Sequence, residues 1–140
     1  MHPIIAQEVV NKLSEKYNII HVCYEFHPKL NNCHRFDQLI GKKALFSMVS
    51  HSDKRLFIDS SLQHAAAALK LKSTVAWVAT QPSVFGYKLH DNIKPRVEFP
   101  EGTIDSYFYD YDFNGIVHQC PYSNLQELHD IEAIVKSVDQ

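Results

Sequence analysis

The chain opens with apolar residues at helical spacing and continues with a run typical of a strand. The helix is predicted from five residues that share one helix face: Ile4, Ile5, Val9, Val10 and Leu13. Pro3 stands at a position that suits a first helical turn. The strand is predicted from IIHVCYEF, residues 19–26, which is rich in isoleucine and valine and lies between Asn18 and Pro28. We expect this strand to be buried in a parallel sheet.

The next stretch predicts a loop and then two helices with a glycine between them. HPKLNNCH, residues 27–34, is the loop. The first of the two helices is short and is marked by three apolar residues: Phe36, Leu39 and Ile40. A break follows at Gly41. The second helix carries Leu45, Phe46, Met48 and Val49 and is expected to end near residues 51–53.

Residues 56–80 predict the order strand, helix, strand. The first strand is LFID (56–59), the helix runs from Leu62 to Leu69, and the second strand is STVAWVAT (73–80). We expect the second strand to lie parallel to the first through a right-handed crossover. The alternation of strands and helices predicts an α/β fold, a Rossmann-like parallel sheet with flanking helices.

The pattern changes after Thr80. Residues 81–103 hold three prolines and two glycines, and they predict an irregular loop at the carboxyl end of a strand, where open α/β sheets carry ligand contacts. Residues 104–116, IDSYFYDYDFNGI, are crowded with aromatic and acidic side chains. They predict an edge strand, a contact surface or a platform on which sugar rings stack. The closing helix is predicted from five apolar residues: Leu125, Leu128, Ile131, Ile134 and Val135.

Composition favours one α/β domain over residues 1–140, with 45% hydrophobic residues and a net charge of −2. No basic run exists that would attract nucleic acid or an anionic membrane. No apolar run approaches the roughly 20 residues that cross a bilayer, so we expect no transmembrane segment and a cytoplasmic protein. Cys23, Cys33 and Cys120 are odd in number and lack C-x-x-C spacing, which predicts buried thiols rather than disulfides.

Nine histidines raise the possibility of a metal site. The conceivable ligands are Cys33, His34, His51, His64 and His90. None of them shows the spacing of H-x-x-x-H or H-E-x-x-H, which known zinc sites use. We therefore predict neither a metal nor another cofactor.

The polar turn Asp59-Ser60-Ser61 has two compatible interpretations. One is helix capping, in which at least one of the three side chains accepts from free N–H groups at the start of the helix and stabilises it by about 1 kcal/mol. The other is phosphate binding by the same N–H groups, aided by the helix dipole and the serine hydroxyls. His64, in the first helical turn, either bonds a neighbouring carbonyl or supports a ligand. The alanines at 65–68 favour close packing of this helix.

The segment FIDSSLQHAAAALKLKSTVAWVAT, residues 57–80, resembles the carboxyl-terminal domain of heptosyltransferase-like glycosyltransferases. That family has aspartate, serine or threonine, glycine, two variable residues and histidine, followed by alanine-rich packing and a Ser/Pro-Thr-Val-Ala strand. Asp59, Ser60, His64 and residues 73–76 match this pattern. The resemblance covers roughly residues 1–95, with the loop, the aromatic segment and the closing helix in residues 96–140.

The resemblance implies half of a two-domain B-type glycosyltransferase that binds a nucleotide-diphosphate sugar and transfers the sugar to a glycan or lipopolysaccharide-type acceptor. The residues implied to contact the donor are Asp59, Ser60, Ser61, Gln63, His64, Thr80, Phe85, Gly86 and Tyr87. The family's amino-terminal domain, which supplies the acceptor site and the catalytic base, has no counterpart here. We therefore expect a partner domain or a homo-oligomer.

Three departures from the family pattern limit what the resemblance implies. Ser61 replaces the usual glycine, so the backbone approaches a phosphate less freely. Ala79 stands where the second strand usually ends in glycine. The family's first strand, with its basic phosphate-binding residue, is not among the 140 residues. The alternative hypothesis is a non-catalytic α/β binding or assembly module that keeps the fold, because an incomplete sheet edge favours pairing with another chain.

Overall fold

The fold alternates short parallel strands with helices. The structure, a computed structural model, describes residues 1–38, 41–78, 80–97 and 124–140. Its elements in chain order are α1 Pro3–Leu13, β1 Ile20–Val22, β2 His34–Phe36, α2 Lys42–His51, β3 Leu56–Ile58, α3 Ser61–Ala68, β4 Thr74–Ala76, α4 Pro82–Phe85, β5 Asp91–Ile93, α5 Leu125–Leu128 and α6 Ile131–Asp139. The architecture is mixed α/β, as predicted.

The strands form two small parallel sheets. In the first, β1 pairs with β2, and Ile20 lies opposite His34. In the second, β4 lies between β3 and β5, with Thr74 opposite both Leu56 and Asp91. The predicted order of strand, helix and parallel strand is confirmed, and the second strand is shorter than predicted, since β4 spans only Thr74–Ala76.

The helices pack in two groups. α1 packs against α6, and α6 covers β4 and β5; α2 packs against α3, and α3 packs against β3. The core between α1, α6 and the sheet is built from five buried apolar residues: Val9, Leu13, Ala76, Ile134 and Val138. The first helix, the helix after Gly41, the helix after the polar turn and the return of the closing segment onto the body are all confirmed.

β1 departs from its prediction. It is a parallel strand, but it is exposed rather than buried, with relative exposures of 57% for Ile20 and 40% for Val22. Its partner β2 lies where a loop and then a helix were predicted, and the remaining residues of that helix, Leu39 and Ile40, are outside the described residues. Pairing with β1 decided the conformation of this stretch, since neither of its local patterns favours a strand.

The loop between β1 and β2 is held by one guanidinium group. Arg35 donates to the carbonyl oxygens of Tyr24, Glu25, His27 and Pro28 over 2.7–3.3 Å, and its Nε pairs with Asp37 at 2.6 Å. The half-buried position of Arg35 in β2 lets it reach this loop. β2 is therefore tied to the loop before it as well as to β1.

The segment after Thr80 is more regular than predicted. α4 and β5 lie within it, and β5 extends the sheet because Asp91 N–H donates to Ser73 O and Trp77 N–H donates to Ile93 O. The aromatic segment 104–116 lies outside the described residues. The closing pattern forms two helices instead of one, and the Asp130 carboxylate caps α6 by accepting from Ala133 N–H.

Across the four described ranges, no helix combines the length and apolar character needed to cross a membrane. Cys23 and Cys33 are free thiols, and they are half-buried rather than buried. Cys120 lies outside the described residues. Burial raises the pKa of the Cys33 thiol, so this residue is a poor nucleophile at neutral pH.

His129, between α5 and α6, makes stability depend on pH. Burial, and secondly the charge of the Met1 amino group, lower the pKa of His129 to about 4. In the unfolded chain His129 takes up a proton near pH 6.5, whereas in the folded protein it stays neutral down to about pH 4. The stability contributed by the neutral, buried His129 is therefore complete above pH 6.5 and is lost as the pH falls towards 4. Allowing for screening by solvent, we expect a loss on the order of 2 kcal/mol in the free energy of unfolding.

Urea unfolding of the wild type and of His129→Gln between pH 7 and pH 4 measures this loss. The two curves of stability against pH should converge at low pH, and the exposed-site control His51→Gln should follow the wild type. Parallel curves for wild type and His129→Gln would contradict the assignment.

Candidate functional site

Most of the sequence-predicted site residues meet at the carboxyl edge of the three-stranded sheet. Asp59 follows directly after β3, Ser60 is the residue before α3, and the 82–90 segment returns to this edge after β4. Parallel strands all end at the same edge, so the turn after β3 and the loop after β4 are brought together by the sheet.

The turn does not cap the helix. Ser60 has an extended backbone, with φ −162° and ψ 166°, and its side chain makes no capping hydrogen bond. The Asp59 carboxylate accepts instead from the Gln63 side chain, with Nε2 to Oδ1 at 3.0 Å. The capping prediction was therefore wrong: the Asp59 carboxylate bonds to a side chain one turn into the helix, and the Ser60 hydroxyl caps no backbone N–H.

Gln63 is the buried centre of the site. It has no solvent exposure, and its Nε2 donates to Asp59 Oδ1 and, at 3.4 Å, to the Phe85 carbonyl oxygen. Both partners are acceptors, which fixes which end of the amide is nitrogen. Oε1 is then buried, and it has no hydrogen-bond partner among the described residues. A buried acceptor without a donor costs about 1–3 kcal/mol of stability, so this oxygen is an unsatisfied and destabilising group in the site.

His90, just before β5, connects α3 to the start of β4 through its two ring nitrogens. Its Nε2 lies 3.0 Å from the Gln63 backbone oxygen and its Nδ1 lies 2.9 Å from Ser73 Oγ. A carbonyl can only accept, so the proton sits on Nε2, and Nδ1 accepts from the serine hydroxyl. Both ring nitrogens are thus engaged within the protein. Over the described ranges, no three histidine, cysteine or acidic side chains gather as metal ligands would.

His64 and Tyr87 form an exposed pair at the rim of the site. His64 Nδ1 lies 2.9 Å from the Tyr87 hydroxyl oxygen, and the rings meet edge to face with centroids 5.5 Å apart. His64 was expected to bond a neighbouring carbonyl or support a ligand, and its partner is a hydroxyl 23 residues away. The Tyr87 ring also contacts the ring of His90.

The loop that carries Phe85, Gly86 and Tyr87 is pinned by residues that the sequence did not single out. Trp77, fully buried, donates its Nε1–H to Asn92 Oδ1 at 2.9 Å, and Asn92 Nδ2 donates to the Tyr87 carbonyl at 2.9 Å. A buried tryptophan needs an acceptor for its N–H. The tryptophan in the predicted second strand is therefore the feature of the sequence from which a polar partner could have been expected.

Five of the predicted site residues form two separate hydrogen-bonded groups. Asp59, Gln63 and Phe85 share one hydrogen-bonded group, and His64 and Tyr87 share the other. Thr80 is half-buried beyond β4 and takes part in neither group.

Two cavities lined by described residues lie away from this site. One, of about 430 Å³, is bordered by Tyr17, Cys33 and His34 at the start of the first sheet. The other, of about 160 Å³, is bordered by Arg55, Lys72 and other residues at the amino ends of the second sheet. Neither cavity is lined by a residue of the polar turn.

Comparison with protein-family models, with curated proteins and with solved structures found no match to this chain. The likeness to heptosyltransferase-like enzymes thus rests on the residues of the 57–80 segment.

Gly86 is required by close backbone packing. A Cβ added there would lie 2.5 Å from the Pro82 carbonyl oxygen and 3.0 Å from Asn92 Oδ1, whereas one added at Gly41 meets nothing within 4 Å. We expect Gly86→Ala to lower the free energy of unfolding by about 1–3 kcal/mol through this overlap. Gly41→Ala is the matched control and should cost less, and chemical denaturation measures both. Equal losses would contradict the packing role of Gly86.

Proposed function

We propose that this chain is the donor-binding half of a glycosyltransferase, which transfers a sugar from a nucleotide-diphosphate sugar to a glycan or lipopolysaccharide-type acceptor. The Rossmann-like arrangement belongs to the same proposal. Its support is the position of the α3 amino terminus at the carboxyl edge of a parallel sheet, where α/β proteins hold phosphorylated ligands. The residue match in 57–80 supports it independently.

The observation that carries the proposal is an uncapped helix start beside an orphaned acceptor. Ser60 does not cap α3, so the N–H groups of Ser61 and Leu62 donate no hydrogen bond to its side chain. Such N–H groups, with the helix dipole, attract a diphosphate. Gln63 Oε1 lies in the same turn, because the amide that carries it reaches back to Asp59. Together these groups offer donors for phosphate oxygens and an acceptor for a hydroxyl.

The proposed roles follow from this arrangement. The Ser61 and Leu62 N–H groups and the Ser60 hydroxyl bind the diphosphate. Asp59 and Gln63 Oε1 accept hydrogen bonds from hydroxyls of the sugar. Entry of the ligand displaces the Phe85 carbonyl from Gln63, a contact that is long at 3.4 Å and therefore weak.

The proposed chemistry is a direct displacement at the anomeric carbon. The acceptor hydroxyl attacks that carbon, the bond to the diphosphate breaks, and the nucleoside diphosphate leaves with the bonding electrons. The α3 amino terminus stabilises the negative charge that develops on the leaving group. The acceptor site and the base that removes the hydroxyl proton belong to a partner domain in this proposal.

Substitution at Ser61 tests the role of the backbone. Ser61 is the first residue of α3, where proline is well accommodated, so Ser61→Pro removes one N–H while the helix persists. We expect wild type to bind ADP, UDP or GDP saturably by calorimetry. Ser61→Pro should weaken that binding roughly tenfold, as expected for one lost charge-assisted hydrogen bond.

Ser61→Ala is the matched control, because it keeps the N–H and loses only the hydroxyl. Its affinity should stay closer to that of the wild type. Absence of saturable binding by the folded wild type, or equal affinities for the two variants, would count against the proposed site.

A second candidate is a non-catalytic α/β binding or assembly module that keeps the fold without transferase activity. It is favoured by the apolar side chains that β1 exposes, since a strand of this composition is usually covered. The nucleotide titration separates the two candidates: a folded chain that binds none of the three diphosphates supports the second.

A further inference from the structure

The two sheets each end in a strand with an open side. Over the described ranges, β1 is paired only with β2, and β3 is paired only with β4. Both open strands are short, uncharged and rich in aliphatic residues, with sequences IHV and LFI. Natural sheet edges usually carry charges, prolines or bulges that discourage pairing, and these two carry none within the strands.

The backbone groups on these edges point away from the existing partners. In β1, Cys23 N–H bonds to Phe36 O, and Ile19 O accepts from His34 N–H, so alternate residues face β2. The backbone groups of Ile20 and Val22 therefore face the other way. In β3, Arg55 O accepts from Thr74 N–H, so by the same alternation the backbone groups of Leu56 and Ile58 face away from β4.

Apolar side chains are exposed next to these open edges. All three residues of β4 are buried, as expected for a central parallel strand with both faces covered. Ile20, Val22 and Ile58 are instead 57%, 40% and 41% exposed. Exposed aliphatic residues thus flank the open edge of each sheet.

The two open edges belong to the same body and begin at the same end of it. Ile19, before β1, and Leu56, in β3, pack against one core, whereas Phe36, the apolar residue of β2, does not. β1 is therefore the strand of its sheet that lies towards β3. Tyr17, shortly before β1, donates a hydrogen bond to Asp139 at the end of α6. Arg55, just before β3, lines a cavity together with Val138 and Gln140, the neighbours of Asp139. Both strands thus begin at the end of the molecule where α6 finishes.

We propose that the space between β1 and β3 is a binding site for one extended strand of a second polypeptide. The strand runs parallel to both edges and bonds to the outward backbone groups of Ile20 and Val22 on one side and of Leu56 and Ile58 on the other. Neither edge offers a fixed charge, so the bound segment is aliphatic and uncharged, as a strand buried between two others requires. The two sheets then become one sheet of six strands. This inference does not depend on the nucleotide site.

The start of α1 lies where such a strand would end. α6 finishes where β1 and β3 begin, so its start lies about 13 Å away along a nine-residue helix. Met1 packs against the core that includes Ile134 and Val138 of α6, and its amino group is close enough to His129, just before α6, to lower the pKa of that residue. A strand fused ahead of Met1 through a short linker can therefore fill the space in the proposed direction.

A fused strand tests the proposal with a defined probe. The variant carries five valine and isoleucine residues, then a linker of about four glycine and serine residues, ahead of Met1. Hydrogen exchange of the Ile20, Val22, Leu56 and Ile58 amides should slow at least about tenfold relative to the unfused chain. A fusion of equal length made only of glycine and serine is the control and should leave those amides unchanged.

Two lysine substitutions show whether the fused strand protects the amides by filling the space between β1 and β3 or by stabilising the whole protein. Val22→Lys places a charge on the proposed contact and should abolish the protection in the fused chain. Val97→Lys changes a similarly exposed valine away from both edges, with 48% exposure, and should preserve it.

Three results would overturn the proposal. The first is slow exchange at the four amides in the unfused chain, equal to that of buried Val75. The second is exchange in the fused chain that stays as fast as in the glycine-serine control. The third is protection of the unfused chain that rises with its own concentration, which would identify a second copy of this chain as the occupant.

Discussion

The parallel pairing of β4 with both β3 and β5 is the constraint on which the candidate site depends. Because the three strands end at one edge, the turn after β3 and the loop after β4 come together there, although they are more than 20 residues apart. Trp77 at the end of β4 is buried, and it holds that loop through Asn92. The position of the site is thus set by the sheet, and its shape is set by a few buried polar side chains.

These buried polar side chains hold the site rigidly, but one of their hydrogen-bond acceptors has no donor within the described ranges. His90 holds the backbone of α3 at Gln63, and the Gln63 amide holds Asp59 and the Phe85 carbonyl. Both nitrogens of the His90 ring have a partner, whereas Gln63 Oε1 has none among the described residues, and neither has the buried His21 Nδ1. A buried polar atom without a partner costs stability, and such atoms are common where proteins bind ligands.

The sequence predicted the elements whose signals are local. α1 follows from its apolar face, α2 from the break at Gly41, and β3, α3 and β4 from the change of period around the polar turn. β2 and β5 were not predicted, because HRF and DNI become strands only by pairing with distant residues. Most of the residues singled out in the sequence lie at one edge of the sheet. Their hydrogen bonds were not predicted, because no local pattern reveals that the Gln63 side chain donates back to Asp59.

The open edges of β1 and β3 have a consequence for the selectivity of the space between them. A strand that enters the space between them is recognised mainly through its backbone N–H and C=O groups, which every residue except proline provides. The site therefore distinguishes an extended segment from a helical one more sharply than it distinguishes valine from isoleucine, and segments of quite different sequence can occupy it.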